Sequence, residues 1–150
     1  MDYGEIYRCL DLKSFFASVE CADKGLDPFT TNLVVADPSR GSGAICLAIT
    51  PAMKALGIRN RCRVFEIPKG VEYITALPRM RRYMEVSAEI YGVYLRYISP
   101  EDIHVYSIDE CFIYATPYLN MYSMHLLQKH DGVLRKSAGS GVKRNMCRQL

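Results

Sequence analysis

The first apolar block of the chain predicts a strand that leads directly into a helix. "IYRCLDL" (residues 6–12) is a short apolar run typical of a strand that ends at Asp11. "SFFASVECADKGL" (residues 14–26) has helical spacing, and we expect Ser14 to cap its start and Gly25 to lie near its end.

Two further apolar segments predict a β-ribbon. "NLVVA" (residues 32–36) and "AICLAI" (residues 44–49) are separated by "DPSRGSG", whose Asp-Pro step and paired glycines favour an irregular hairpin loop. "TPAMKALG" (residues 50–57) then predicts a short helix with Thr50 as N-cap and Pro51 at its first position.

The next segment carries arginine at every second position. In "IRNRCRVFEIP", Arg59, Arg61 and Arg63 would line one face of an extended segment. Pro78 then opens the longest helical pattern, "PRMRRYMEVSAEIYGVYLRYIS". Its apolar and small positions recur at three- and four-residue spacing and predict a core-facing stripe: Met80, Tyr83, Met84, Ser87, Ile90, Tyr91, Tyr94 and Ile98.

Two short strands complete the pattern and enclose a pair of acids. "DIHVYS" (residues 102–107) and "CFIYAT" (residues 111–116) flank Asp109 and Glu110, while Asp11 stands at the end of the first strand. Neighbouring carboxylates in a strand region lose hydration unless water or a cation compensates them. They therefore either lie at a solvated turn or hold a cation, and a tight turn or bulge would let both side chains face one cleft.

Composition excludes several classes of protein. The chain has 150 residues and is 49% hydrophobic, which suits one ordinary globular core. The N-terminus carries acids where a signal peptide needs basic residues, and no apolar run approaches membrane-spanning length, so we expect a cytoplasmic protein with no membrane partner. The six cysteines form no CxxC pair and are expected to be reduced, mostly buried thiols.

The net charge of +3 is unevenly distributed. Residues 128–150 hold six Lys/Arg and one acid, a charge of +5 that leaves −2 for residues 1–127. Bulk charge therefore gives no argument that the body of the chain binds nucleic acid.

Four blocks of the sequence resemble a known family. "LDLKSFFASVE", "AITPAMKALG", "PRMRRYMEVSAEIY" and "VYSIDECFI" resemble, in order and spacing, the N-terminal half of the UmuC/DinB-type, or Y-family, translesion DNA polymerases over residues 5–122. The resemblance implies an α/β (α+β) fold, a partial polymerase palm with a ferredoxin-like mixed sheet plus a small fingers subdomain.

The resemblance also implies a catalytic metal site. Asp11 and Asp109 would bridge two Mg²⁺ ions, with Mn²⁺ as a substitute, and Glu110 would complete the site beside a primer 3'-hydroxyl. The backbone carbonyl of Leu12 corresponds to a further metal ligand of the family. These oxygen donors suit Mg²⁺, which is commonly held by a few carboxylates and substrate phosphates.

Three residues match nucleotide-binding positions of the family. Phe16 matches the aromatic steric gate that lies under the sugar and excludes a 2'-hydroxyl, Phe15 is its neighbour, and Lys54 matches a cation that contacts the triphosphate. The chain departs from the common pattern at Pro51, where many relatives have a tyrosine facing the phosphates, and at Tyr114, where an aspartate is frequent.

The resemblance implies a DNA-directed DNA polymerase, a nucleotidyl transferase that acts in DNA repair and damage bypass. Its partners would be primed template DNA and a dNTP, and a sliding clamp would bind through a C-terminal region that this chain lacks. Residues 123–150 form a basic tail without clear family register, and we expect a non-native or disordered end on an incomplete fragment with little or no activity.

Two alternatives remain at this point. The chain could be a non-catalytic DNA-binding or polymerase-interacting remnant, which the missing thumb favours. It could also be another palm-type nucleotidyl transferase such as a nucleotide cyclase, against which Phe16 and Lys54 in family register argue.

Overall fold

A computed structural model describes residues 4–119, residue 121 and residues 134–136. The chain divides into two compact units, which we call the first unit (Met1–Lys13 with Ser87–Leu150) and the second unit (Ser14–Val86). The strands and helices are, in chain order, β1 (Glu5–Asp11), α1 (Phe15–Asp23), β2 (Leu33–Val35), β3 (Ala48–Ile49), α2 (Pro51–Ala55), β4 (Ile74–Ala76), α3 (Met80–Tyr94), β5 (Ile103–Val105), β6 (Glu110–Tyr114) and β7 (Leu134–Lys136). The α/β class is confirmed.

The first unit is built on a four-stranded sheet in the order β5-β6-β1-β7. All its described neighbours run antiparallel, and β1 pairs with β6 over its whole C-terminal half. Both predicted strands around the acid pair are confirmed as β5 and β6. The turn that joins them, residues 106–109, carries Asp109, whereas Glu110 is the first residue of β6.

Strand alternation gives this sheet two different faces. Ile6 and Arg8 of β1 are buried, as are Cys111 and Ile113 of β6. The residues of α3 from Ser87 onward lie over this face, since the cavity beneath them is lined by Ile90, Tyr91 and Tyr94 together with Leu10, Val105 and Cys111. The alternate positions, Tyr7, Cys9 and Asp11 on β1 and their partners on β6, stay partly exposed.

The second unit holds a three-stranded sheet in the order β3-β2-β4. The predicted β-ribbon is confirmed, because β2 and β3 pair antiparallel on either side of the Pro38–Gly43 turn. A strand that the sequence did not predict, β4, pairs parallel with β2 and makes this sheet a mixed one. The core of the second unit is a cluster of apolar residues: Val34, Ala36, Cys46, Ile49, Met53, Ile58, Cys62 and Ile67.

The helix starts differ from the predicted caps. Ser14 does precede α1, but its backbone is left-handed (φ 52°) and its side chain makes no capping hydrogen bond. Thr50 precedes α2 as predicted, yet its hydroxyl oxygen accepts a hydrogen bond from the Leu33 amide at 3.2 Å instead of capping the helix. Both residues therefore mark a helix start, although neither stabilises it as a capping side chain would.

The extended arginine segment was a wrong prediction. Arg61 has a left-handed backbone (φ 57°) inside a turn, which breaks the alternation of side chains. The Glu66 carboxylate binds the two flanking arginines: it accepts a hydrogen bond from Arg59 Nη2 at 3.0 Å and another from the Arg63 backbone amide at 2.6 Å. The three arginines do not share one face of a strand.

The predicted core stripe of α3 is only partly confirmed. Tyr83 is fully buried, whereas Met80 and Met84 are 45% and 59% exposed. Within the second unit, the contacts with α1 are made by Tyr83 of α3 and by Arg79, which directly precedes the helix, so Met80 and Met84 lie outside this contact.

Four cysteines, Cys21, Cys46, Cys62 and Cys111, are buried free thiols, as predicted. Cys147 lies outside the described residues, as does most of the predicted tail, residues 123–150. Within that segment the backbone of β7 pairs with β1. The boundary at residue 122 stays a prediction. Across the described ranges, none of the helices has the length and apolar character needed to cross a membrane.

Candidate active site

Asp11 and Glu110 occupy directly opposite positions on the two central strands of the first unit. The Leu12 amide donates a hydrogen bond to the Asp109 carbonyl at 2.9 Å, so the next pair inward, Asp11 and Glu110, is a non-hydrogen-bonded pair. Side chains approach most closely at such pairs and lie on one face of the sheet. The pair four residues along β1, Tyr7 and Tyr114, has the same geometry, with ring centroids 5.2 Å apart.

The turn before β6 positions Asp109 through hydrogen bonds within the first unit. The backbone amides of Tyr106 and Ser107 both donate to the Glu110 carbonyl, at 3.0 and 3.1 Å. The Ser107 hydroxyl donates to Asp109 Oδ1 at 2.9 Å, and the Ser87 hydroxyl of α3 donates to the Ile108 carbonyl at 2.5 Å. The turn is thus tied both to its own strand and to α3.

The chemistry of these side chains fits a divalent cation. Within the described residues, neither Asp11, Asp109 nor Glu110 forms an ion pair with a basic side chain. Carboxylate oxygens are the hard donors that Mg²⁺ prefers. The structure brings Asp11 and Glu110 to opposite positions on β1 and β6, and Asp109 directly precedes Glu110 in the chain. It does not gather three or more acidic, histidine or cysteine side chains of the described residues into one metal-binding cluster.

A small cavity lies between α3 and this end of the sheet. It measures about 30 Å³ and is lined by Leu12, Ser87 and Asp109 together with apolar side chains of α3. A water molecule needs roughly 10–15 Å³ of such space, so this cavity can hold one or two waters. It is far too small for a nucleotide.

The predicted nucleotide-binding residues lie in the second unit. Phe15 is 6% exposed, whereas Phe16, one position further along α1, is only half-buried. The Phe16 ring stacks on the ring of Tyr83, with centroids 4.5 Å apart and planes 12° from parallel. Lys54 is half-buried on α2.

Behind Phe16, a charged network joins α1 to the start of α3. The Tyr83 hydroxyl and Arg79 Nε both donate to Glu20 Oε1 at 2.8 Å. Arg79 Nη2 also donates to Asp23 Oδ2 at 2.8 Å, and Arg82 donates to both oxygens of Asp23, at 3.0 and 2.9 Å.

These contacts shift the pKa values of the network in opposite directions. Burial raises the pKa of Glu20, but the hydrogen bonds from Arg79 and Tyr83 and the charge of Arg79 outweigh it and leave that pKa below its usual range. The bonds from Arg82 and Arg79 lower the pKa of Asp23 to about 2. Burial raises the pKa of Tyr83 to about 12, and its bond to Glu20 acts in the same direction. The carboxylates therefore stay charged and the phenol stays protonated across the physiological range.

No role was predicted for this network from the sequence. Tyr83 was predicted only as part of a core stripe, and Glu20 had no role at all. A signal was present: Glu20 is an acid inside the otherwise apolar helix "FFASVECA", where an unpaired carboxylate would be costly. A buried basic partner could have been expected from that position alone.

Comparison with known proteins decides the family. The model of the impB/mucB/samB family matches residues 10–150. This chain belongs to the impB/mucB/samB family. The resemblance to UmuC/DinB-type, or Y-family, polymerases that its motifs carry is confirmed.

Relatives within the impB/mucB/samB family include two proteins of Bacillus subtilis. The chain is 38% identical over 120 residues to the putative UV-damage repair protein UvrX, a match covering 77% of this chain and 29% of UvrX. It is 37% identical over 113 residues to the DNA repair protein homolog YozK, covering 72% of this chain and 98% of YozK. The chain thus spans less than a third of UvrX and nearly all of YozK.

A solved structure supports the fold. A Y-family DNA polymerase chimera of Dbh matches with a TM-score of 0.62 at 19% identity, over 83% of this chain and 37% of that chain. At this level of identity the likeness concerns the fold alone, which is the palm-like α/β arrangement expected from the motifs.

Proposed function

We propose that this chain carries the metal-binding and nucleotide-binding residues of a translesion DNA polymerase, which transfers a nucleotide from a dNTP to a primer 3'-hydroxyl. The observation that carries the proposal is the pairing of Asp11 with Glu110 across β1 and β6, with Asp109 directly before Glu110 in the chain. A fold that places two like charges opposite each other and supplies no described basic partner is expected to receive a cation from outside.

Asp11, Asp109 and Glu110 would hold Mg²⁺ or Mn²⁺, together with the Leu12 carbonyl. When bound, paired metals stabilise charge on the attacking and leaving oxygens of phosphoryl transfer. The protein's own contribution is to position the ligands: the β1–β6 register fixes Asp11 against Glu110, and Ser107 orients the Asp109 carboxylate through its hydrogen bond.

The second unit would bind the nucleotide. Phe16 is aromatic, half-buried and supported from behind by Tyr83, which suits a ring that contacts a sugar and excludes a 2'-hydroxyl. Phe15 is a buried neighbour whose ring centroid lies 5.9 Å from that of Phe16, and Lys54 would contribute a positive charge to triphosphate oxygens. Primed template DNA would be the second substrate, and a sliding clamp would be a further partner.

The metal site can be tested without catalysis. Thermal melts of the chain with and without MnCl₂ should show stabilisation by the cation, because a ligand of the folded state raises its stability by mass action. Asp11→Asn, Asp109→Asn and Glu110→Gln should each lose most of this response. Glu101→Gln, which neutralises an exposed acid of the first unit, is the matched control and should respond like the wild type. Equal responses in all five proteins would refute the metal site.

Nucleotide binding and activity need separate assays. Titration with dATP in the presence of Mn²⁺ should show weaker binding for Lys54→Ala than for wild type. The expectation of feeble primer extension stays a prediction, and incorporation of a labelled dNTP on a primed template measures it. Robust incorporation of several nucleotides would contradict that expectation and strengthen the proposed function.

A further inference from the structure

We propose that Glu20 and Arg79 are positioning residues that hold the Phe16 ring through Tyr83, and thereby set how strongly the second unit prefers a deoxyribonucleotide to a ribonucleotide. The inference rests on the proposed function, since it assumes that Phe16 contacts the sugar. It assigns a role to Tyr83, Glu20 and Arg79 behind that ring, none of which needs to touch the nucleotide.

The first step is the stacking of the two rings. Phe16 and Tyr83 are nearly parallel at 4.5 Å, so the plane of one ring restricts the tilt of the other. Tyr83 is 0% exposed while Phe16 is half-buried. The more exposed ring therefore takes its orientation from the buried one.

The second step is the fixation of Tyr83. Its hydroxyl donates to Glu20, whose side chain is 1% exposed, so the ring is held at its polar end as well as by packing. A Tyr83 ring without this bond would keep its place in the core but lose the restraint on its tilt. Burial makes the bond strong, because water does not compete for either group.

The third step is the fixation of Glu20. Arg79 binds Glu20 through Nε and Asp23 through Nη2, and Arg82 holds Asp23 from the other side. Phe16, Glu20 and Asp23 recur at positions i, i+4 and i+7 and therefore lie on one face of α1. The network runs along that face and ends at the Phe16 ring.

A ring that discriminates a single hydroxyl depends on accurate placement. Sites of this kind fail when the supporting residues let the first contact move by about 1 Å. A looser Phe16 would still pack against a deoxyribose, but it would exclude a 2'-hydroxyl less well. The network should thus affect binding of ATP more than binding of dATP.

The competing explanation is that the network only stabilises the fold. In that case its loss would lower the melting temperature and weaken dATP and ATP binding equally, without changing their ratio. The ratio of the two dissociation constants, measured well below the melting temperature of each variant, separates the two explanations.

The experiment is calorimetric titration of the chain with dATP and with ATP, each with Mn²⁺. Phe16→Ala should bring the ATP-to-dATP ratio of dissociation constants close to one. Glu20→Gln and Tyr83→Phe should each lower the wild-type ratio by about fivefold, the equivalent of one lost hydrogen bond. Arg79→Lys should do the same, while Arg59→Lys, at the exposed ion pair with Glu66, should leave the ratio unchanged.

A second readout follows the ring itself. With ¹³C-labelled phenylalanine, the ring signals of Phe16, assigned by their loss in Phe16→Leu, should shift in Glu20→Gln and in Tyr83→Phe but not in Arg59→Lys. Tyr83→Phe keeps the stacked ring and removes only the hydroxyl, so it tests the positioning even if Glu20→Gln folds poorly.

The outcomes separate the inference from the function on which it rests. If Phe16→Ala abolishes discrimination while Glu20→Gln and Tyr83→Phe keep the wild-type ratio, the positioning role is overturned and the function of Phe16 stands. If Phe16→Ala itself keeps the wild-type ratio, the sugar-contact role of Phe16 is overturned, and this inference with it.

Discussion

The two units treat their acidic side chains in opposite ways. In the second unit, Glu20 and Asp23 are each bonded by arginine, and the buried Glu20 also accepts from Tyr83. In the first unit, Asp11 faces Glu110 across two strands, and no described basic side chain pairs with either.

The comparison distinguishes acids that stabilise the fold from acids whose mutual repulsion lowers its stability. An acid bonded to arginine inside a helix pair is explained by packing alone. Like charges directly opposite in a sheet are destabilising, so packing cannot explain why Asp11 and Glu110 share that position. The proposal of an external cation rests on the second arrangement.

The largest effect is expected from removing the buried acid. Glu20→Ala leaves the Tyr83 hydroxyl buried without its acceptor and takes one carboxylate from Arg79, which should cost about 3 kcal/mol of unfolding free energy. Urea denaturation measures the loss. Glu89→Ala, at an exposed position on α3 outside the network, is the control and should change stability by less than about 0.5 kcal/mol. Equal losses in both variants would show that the network is not the support we describe.

The next largest effect is expected on how the unfolding free energy changes with pH, because the network contains two carboxylates with lowered pKa values. The folded-state pKa of Asp23, about 2, lies below its unfolded value of 3.8, and that of Glu20 is lowered too. A depressed pKa contributes stability that is complete above the unfolded value and is lost as pH falls through the folded one. Asp23→Asn should therefore flatten the fall in stability between about pH 4 and pH 2, measured by urea denaturation at several pH values. If the unfolding free energy of Asp23→Asn falls toward low pH as steeply as that of the wild type, the bonds from Arg82 and Arg79 do not lower the pKa of Asp23 as described.

The sequence predicted the acid-bearing strands well because their signals are local. Short apolar runs on either side of an acid pair predicted β5 and β6, and the apolar run before Asp11 predicted β1. Their pairing, which sets Asp11 against Glu110, was expected only in general terms, since register depends on contacts between residues far apart in the chain.

The errors also have physical causes. β4 has three residues and pairs with a strand about forty positions earlier, so it leaves no periodic signal. The alternation of Arg59, Arg61 and Arg63 was misleading because one left-handed residue inside it reverses the pattern. The Glu20–Arg79 pair was missed because its partners are 59 residues apart, and periodicity within each helix identifies a face without identifying what it meets.

A smaller effect tests how the acid turn of the first unit is held. Ser87→Ala removes the hydrogen bond from α3 to the Ile108 carbonyl and should cost about 1 kcal/mol of unfolding free energy. The matched control is Ser39→Ala, whose hydroxyl donates to Asp37 at an exposed turn and should cost less than about 0.5 kcal/mol. If Ser87→Ala is as mild as the control, the turn that carries Asp109 is held by its strand alone.

The smallest effect has the opposite sign and bears most directly on the contrast between the units. In metal-free buffer, Asp11→Asn should raise the unfolding free energy by about 0.5 kcal/mol, because it relieves the repulsion across the β1–β6 pair. Glu110→Gln should do the same, and the double variant should gain no more than either single one, since the repulsion can be removed only once. Urea denaturation with a chelator present measures the cycle. Additive gains would place the two carboxylates too far apart to interact. A loss of stability in both single variants would mean that these acids support the fold as Glu20 does, and the reason for expecting a cation between them would disappear.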